Sequence, residues 1–146
     1  MTAPFFEFPM RPVLPITEDT REWWDQTRER RLTVQSCRAC RAVQLYPRCL
    51  CVACGSSDVE LVSASGLGTV YSRTVLSKSP NPEFFVPPYV VALVRLEEGP
   101  VVLTNIVGTG ATDVECDAPV TVTWDAMPDG RHLPLFTPVS SPDPSG

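Results

Sequence analysis

Two cysteine pairs, Cys37/Cys40 and Cys51/Cys54, each spaced C-x-x-C and separated by ten residues, constrain this chain more than any other feature. Two intervening residues let one tight turn present both thiolates to the same ion, and two such turns supply four tetrahedral ligands. Gly55, directly after the last ligand, suits a turn that needs positive φ and backbone amides close to sulfur. Four thiolates leave no coordination position for substrate, so the expected ion is a structural zinc that holds the fold. A rubredoxin-like iron site, a redox dithiol and paired disulfides are the competing readings of the same spacing. Met1-Thr2-Ala3-Pro4-Phe5 has no basic start and prolines interrupt the apolar residues, a pattern unlike a signal peptide, which argues against disulfides. Cys49, two residues before Cys51, is an alternative fourth ligand, although C-x-x-C fits the turn better. Cys116 reads as a small half-buried residue, since no histidine stands near it in sequence to activate it.

At 146 residues the chain has room for one domain plus a small module. No uninterrupted apolar run approaches the roughly 20 residues that span a bilayer, so a cytoplasmic protein is expected. Charge is uneven: residues 1–60 carry eight basic and eight acidic side chains, residues 61–146 four and nine. The net charge of −5 disfavours nucleic acid, whose binders show a basic stripe. Sixteen prolines argue against a helical bundle.

Residues 1–16 hold Pro4, Pro9, Pro12 and Pro15 among Phe5, Phe6 and Phe8 and read as an extended apolar arm lying on a surface, its own or a partner's. Residues 17–32 read as a helix with Thr17 as N-cap, acids at its start and arginines at its end. Trp23 and Trp24 lie about 100° apart on such a helix, so they are expected on different faces, one packing on the zinc module and one meeting a partner. Residues 33–60 form the ribbon, with Ala42–Leu50 as a hairpin strand whose Val43 and Leu45 pack near the metal. Arg38, Arg41 and Arg48 are either solvated or a basic patch for a phosphate-bearing ligand. Residues 61–139 alternate as five strands: from Gly66-Leu67-Gly68 through Thr69–Leu76, then Tyr89–Leu96, Val101–Val107, Val120–Trp124 and Arg131–Phe136. Tyr89–Leu96 is nearly continuously apolar and therefore central. Five short strands, the first entered at paired glycines, suit an OB-type barrel. Residues 140–146 are expected to be a disordered tail.

The chain is thus expected to be mainly β: N-terminal helix, Cys₄ zinc ribbon, five-stranded OB-type barrel. It shows no nucleophile–base constellation, and its single histidine is His132. Asp113, Glu115 and Asp117 alternate like a calcium ladder but read better as a solvated acidic loop. Independent catalysis is not expected.

The order and spacing of these segments resemble the zinc-ribbon/OB-fold proteins associated with acyl-CoA metabolism, once catalogued only as a domain of unknown function. The likeness runs over about residues 17–138. It is carried by Trp23-Trp24, Gln35-Ser36-Cys37-Arg38-Ala39-Cys40, Cys51-Val52-Ala53-Cys54-Gly55-Ser56, Ser65-Gly66-Leu67-Gly68-Thr69-Val70-Tyr71-Ser72, Pro88-Tyr89-Val90-Val91-Ala92-Leu93-Val94 and Leu133-Pro134-Leu135-Phe136. The chain departs from the pattern at Arg41, where glycine is frequent, at the additional Cys49, and at Cys116-Asp117-Ala118, where a glycine turn is usual.

The resemblance implies a non-catalytic accessory subunit of a thiolase-superfamily enzyme that condenses or cleaves acyl-CoA thioesters. In steroid degradation similar domains accompany an enoyl-CoA hydratase module and a lipid-transfer-protein-like aldolase that removes the sterol side chain by retro-aldol cleavage. On that reading Phe5, Phe6, Phe8, Trp23 and Trp24 contact the partner, and Arg38, Arg41 and Arg48 contact CoA phosphates. The alternatives are a nucleic-acid-binding OB/ribbon module and a free-standing CoA or acyl-CoA binding protein.

Overall fold

The computed structural model describes residues 13–139. One helix, α1 (Arg21–Arg28), leads into a three-stranded antiparallel sheet of β1 (Thr33–Cys37), β2 (Val43–Gln44) and β3 (Val59–Ser63) in the order β2-β1-β3. A closed barrel follows, made of β4 (Leu67–Leu76), β5 (Tyr89–Leu96), β6 (Val101–Ile106), β7 (Pro119–Ala126) and β8 (His132–Pro138) in the order β4-β5-β6-β8-β7. The five expected barrel strands are all present, and β5 lies between β4 and β6 with only Arg95 exposed along its length. Leu61, Val62 and Ser63 pair with Gln35, Val34 and Thr33, so the ribbon sheet runs on through Ser63.

The helix is shorter than its pattern. Its last turn is closed by Arg30 N–H donating to Thr27 O and Arg31 N–H donating to Gln26 O, with Arg30 at φ 56°. This is a Schellman stop with arginine in the left-handed position that glycine usually takes. At the other end Thr20, not Thr17, is the cap residue, and its hydroxyl is engaged by Thr17 rather than by the helix amides.

Ribbon and barrel share one core. Leu32, Val34 and Leu45 pack in the same buried cluster as Val70, Val94, Ile106 and Phe136. Main-chain and side-chain bonds stitch the joint: Ala64 N–H to Leu32 O at 2.9 Å, Ser65 N–H to a Glu98 carboxylate oxygen at 2.8 Å, and Leu103 N–H to the Tyr46 hydroxyl at 3.1 Å. Leu45 therefore serves the common core, while Val43 is exposed, contrary to the expectation that both pack at the metal. The expected strand Ala42–Leu50 shrinks to Val43–Gln44, because the chain beyond it is held by side-chain amides instead of a ladder.

Two glycines at the barrel entrance are fixed by space. Gly66 has φ +81°, and a Cβ there would lie 2.6 Å from Val122 Cγ1; a Cβ on Gly68 would lie 2.7 Å from Arg95 O. The barrel closes weakly between β6 and β8, which run parallel and meet in register only at Ile106 and Phe136. Pro134 in β8 has no N–H to offer there.

The candidate metal centre

The four sulfurs of Cys37, Cys40, Cys51 and Cys54 lie within 4.8 Å of one another. Cys37 and Cys54 sulfurs are 3.7 Å apart, and those of Cys40 and Cys51 are 3.6 Å apart. A Zn–S bond of about 2.3 Å at tetrahedral angles sets sulfurs about 3.8 Å apart, so the set fits zinc. Among the described residues this is the one cluster of ligand-type side chains close enough to share an ion. Cys49 is exposed and outside it, so Cys51 holds the fourth position. Asp113, Glu115 and Asp117 form no such group. Cys116 is exposed, not half-buried.

The two turns are built alike. In the first, Cys37 N–H donates to Ala42 O and Cys37 O accepts from Arg41 N–H. In the second, Cys51 N–H donates to Ser56 O and Cys51 O accepts from Gly55 N–H. In each turn the first cysteine is buried and the second exposed. The residue four places after the first cysteine is left-handed in both, Arg41 at φ 66° and Gly55 at φ 77°. Amides point at sulfur: Cys40 N–H lies 3.5 Å from Cys37 Sγ and Ala53 N–H 3.4 Å from Cys51 Sγ. The Cys40 amide holds the Cys37 thiol below its ordinary value. The Cys54 amide, with Ala53 and the neighbouring thiols, brings Cys51 down to about 7 against the opposing effect of burial. These two shifts favour the thiolate, while, against the backbone amides that lower them, the neighbouring thiols push Cys40 up and Cys54 up to about 12, so the four sulfurs do not ionise alike without a bound cation.

Left-handed arginine at position 41 is strained relative to glycine. Arg41→Gly is expected to raise stability by about 0.5–1 kcal/mol. Urea midpoints of the zinc-loaded proteins check this, with Gly55→Ala expected to move them the opposite way.

Sequence reasoning missed the residues that hold the two turns together. The Gln35 side chain is buried; it donates to Arg48 O and accepts from Arg48 N–H and from the Gln44 amide. Gln44 in turn donates to Leu50 O and accepts from Val52 N–H. Two glutamine amides thus bind both ends of the segment that delivers Cys51. The signal in the sequence was a polar residue in a strand that is otherwise buried at Val34 and Cys37. Gln35→Ala is expected to speed zinc loss to a chelator about tenfold, the scale of supporting-residue effects at metal sites.

The remaining predicted site residues are dispersed. Arg38 donates to Asp58 at 3.1 Å and to Glu60, so its charge already faces carboxylates. Arg41 and Arg48 are exposed. Trp24 is only 8% exposed, with the Arg131 guanidinium 4.5 Å over its ring, so it is a core residue and not a presented one. Trp23 is half-buried and donates from Nε1 to Thr33 O in β1. The two indoles do not part to different faces: they meet edge to face at 4.9 Å. Both line a cavity of about 210 Å³. His132 donates from Nδ1 to Thr27 O at 2.9 Å, tying β8 to the helix. Phe5, Phe6 and Phe8 lie outside the described residues. No helix among the described residues is long and apolar enough to cross a membrane.

Residues 24–60 match the model for the ChsH2 rubredoxin-like zinc ribbon domain, and residues 61–125 match that for the ChsH2 C-terminal OB-fold domain. A chain of the solved structure described as "Ltp2-ChsH2(DUF35) aldolase" superposes with a TM-score of 0.77 at 39% identity, covering 86% of this chain and 98% of that one. A "Probable enoyl-CoA hydratase alpha subunit" of Thermomonospora curvata is 40% identical over 129 residues, 88% of this chain but 40% of that protein. A "DUF35 domain-containing scaffold protein" of Methanothermobacter thermautotrophicus is 34% identical over 102 residues, 68% of this chain and 76% of the relative. The chain thus spans well under half of the Thermomonospora relative. With both of its domain models and its fold accounted for, the chain belongs to the DUF35 family of ChsH2-type zinc-ribbon and OB-fold proteins.

Proposed function

We propose that this chain is a non-catalytic accessory subunit that binds a thiolase-like, lipid-transfer-protein-like acyl-CoA lyase and supports its retro-aldol cleavage, with steroid side-chain degradation as the setting. The observation that carries the reading is the likeness to the DUF35 chain of an aldolase structure at 39% identity over 98% of that chain. The chemistry of the metal set supports it, since four thiolates leave zinc no position for substrate. The relative's name adds an enoyl-CoA hydratase as a second partner class. Of the three arginines, Arg41 and Arg48 are the candidates for the phosphate end of a CoA thioester, because Arg38 is held by Asp58 and Glu60.

Co-expression with a thiolase-like lyase tests the reading. The two chains are expected to co-elute in size-exclusion chromatography as one zinc-containing complex. Separate elution at micromolar concentration would count against it. The nucleic-acid alternative predicts tight oligonucleotide binding with a steep salt slope. A chain of net charge −5 is expected to show none at physiological salt, as a fluorescence-anisotropy titration would read.

A further inference from the structure

Beyond Val70 the barrel sheet has an open edge. β4 pairs with β5 from Gly68 to Leu76, but with β7 only from Leu67 to Thr69. The last bonds on the β7 side are Val70 N–H to Ala118 O at 3.0 Å and Asp117 N–H to Val70 O at 2.7 Å. From Tyr71 to Val75 every residue of β4 is exposed.

Which main-chain groups face outward follows from the ladder. Opposite residues of an antiparallel pair turn their N–H and C=O either toward each other or away from each other, in alternation. Leu103 N–H bonds the Tyr46 hydroxyl, so Leu103 turns away from β5. Leu93 stands opposite Leu103 and therefore turns away from β6 and toward β4, where it faces Ser72. Ser72 thus bonds β5, and Arg73 and Val75 turn their N–H and C=O outward. The bulge at Tyr71 takes up the extra residue between Ser72 and Val70, which also faces outward. Two donors and two acceptors are left for another strand, and none of them has a main-chain partner among the described residues.

Open edges are commonly blunted by proline or by several charges. Tyr71–Leu76 contains no proline, and Arg73 is its one charge. Pairing between two copies of this edge fixes its own register. An outward-facing residue must meet another outward-facing residue, so the two-fold axis of two antiparallel β4 strands passes through a residue and not between two. An axis on Arg73 would set two guanidiniums opposite each other, which is unfavourable. An axis on Val75 would set Arg73 against Ser77, beyond the end of the strand. An axis on Thr74 sets Arg73 of each copy opposite Val75 of the other and closes all four N–H···O bonds. It also brings the two Thr74 side chains together, a favourable cross-strand pair, and keeps like charges apart.

We infer that the β4 edge pairs with the β4 edge of a second copy of this chain, antiparallel and centred on Thr74, joining two barrel sheets into one. The inference concerns the zinc-loaded chain by itself and stands apart from the accessory-subunit reading.

Sedimentation velocity of the zinc-loaded 146-residue chain, from micromolar to millimolar concentration, tests it. A reversible dimer is expected. Amide hydrogen exchange at Arg73 and Val75 is expected to slow as the dimer forms. Thr74→Asp sets two carboxylates at the axis and is expected to weaken the dimer about fivefold. Val75→Glu sets a carboxylate opposite Arg73 of the other copy and is expected to tighten it about fivefold at low salt. Both side chains are exposed in the single chain, so zinc content and melting are expected to stay at the parent's values. A monomer at millimolar concentration would overturn the inference. So would a dimer that the two variants leave unchanged or shift in the same direction.

Discussion

Cys37→Ser or Cys40→Ser is expected to leave a chain without zinc and without a folded ribbon, while Cys49→Ser retains one zinc per chain. A structural zinc site contributes an apparent ~10–16 kcal/mol in small zinc modules, whereas whole domains are stable by only about 5–15 kcal/mol. Losing the metal therefore exceeds what the rest of the ribbon can offset. The damage spreads, because Leu32, Val34 and Leu45 of the ribbon sit in the barrel's own core. Metal content by mass spectrometry and the far-ultraviolet circular dichroism of the soluble fraction read both effects. A Cys40→Ser protein that holds a full zinc and melts like the parent would show the ligand set to be wrong.

Trp24→Ala is the second large effect, and it is one of stability. The indole is buried, packs edge to face on Trp23 and lies under the Arg131 guanidinium. Truncating a buried Trp costs about 3–5 kcal/mol through lost contacts and the cavity left behind. Arg131, itself 1% exposed, would lose the ring that covers it. Its partner Asp129 is held below the ordinary carboxylate range by the Arg131 hydrogen bond and the Arg131 amide, against burial, which works the other way. That pair's contribution is present at neutral pH and is lost as pH falls through the depressed value, so the Trp24→Ala defect adds to acid sensitivity. Urea unfolding at saturating zinc should show the full loss for Trp24→Ala. A smaller loss is expected for Trp23→Ala, since that ring is half-buried and keeps a polar bond to Thr33.

Much of this was legible in the residues. The period-2 runs located five barrel strands, because strand pattern and turn chemistry agree there: Gly99 at φ 112° sits between β5 and β6, and Gly130 at φ 90° between β7 and β8. The four ligands were legible because C-x-x-C admits few other geometries. What the sequence hid were places where a residue breaks the local rule. Arg30, Arg41 and Asp117 adopt positive φ without being glycine, at 56°, 66° and 69°. The first ended the helix early, and the other two stand where the family pattern usually has glycine. The pairing of Val59–Ser63 with β1 was hidden because alternation alone does not say which sheet a strand joins. The Gln35–Gln44 pair was hidden because its partners are main-chain groups that no side-chain pattern marks.

On the proposed reading, catalysis belongs to a partner lyase and support to this chain. Retro-aldol turnover of a side-chain acyl-CoA by this chain alone, by the lyase alone and by the reconstituted complex distinguishes the two roles. The expected result is no turnover from the zinc-loaded chain, weak turnover from the lyase, and markedly higher turnover or soluble yield from the complex. Equal activity and solubility of the lyase with and without this chain, or turnover by this chain alone, would contradict it.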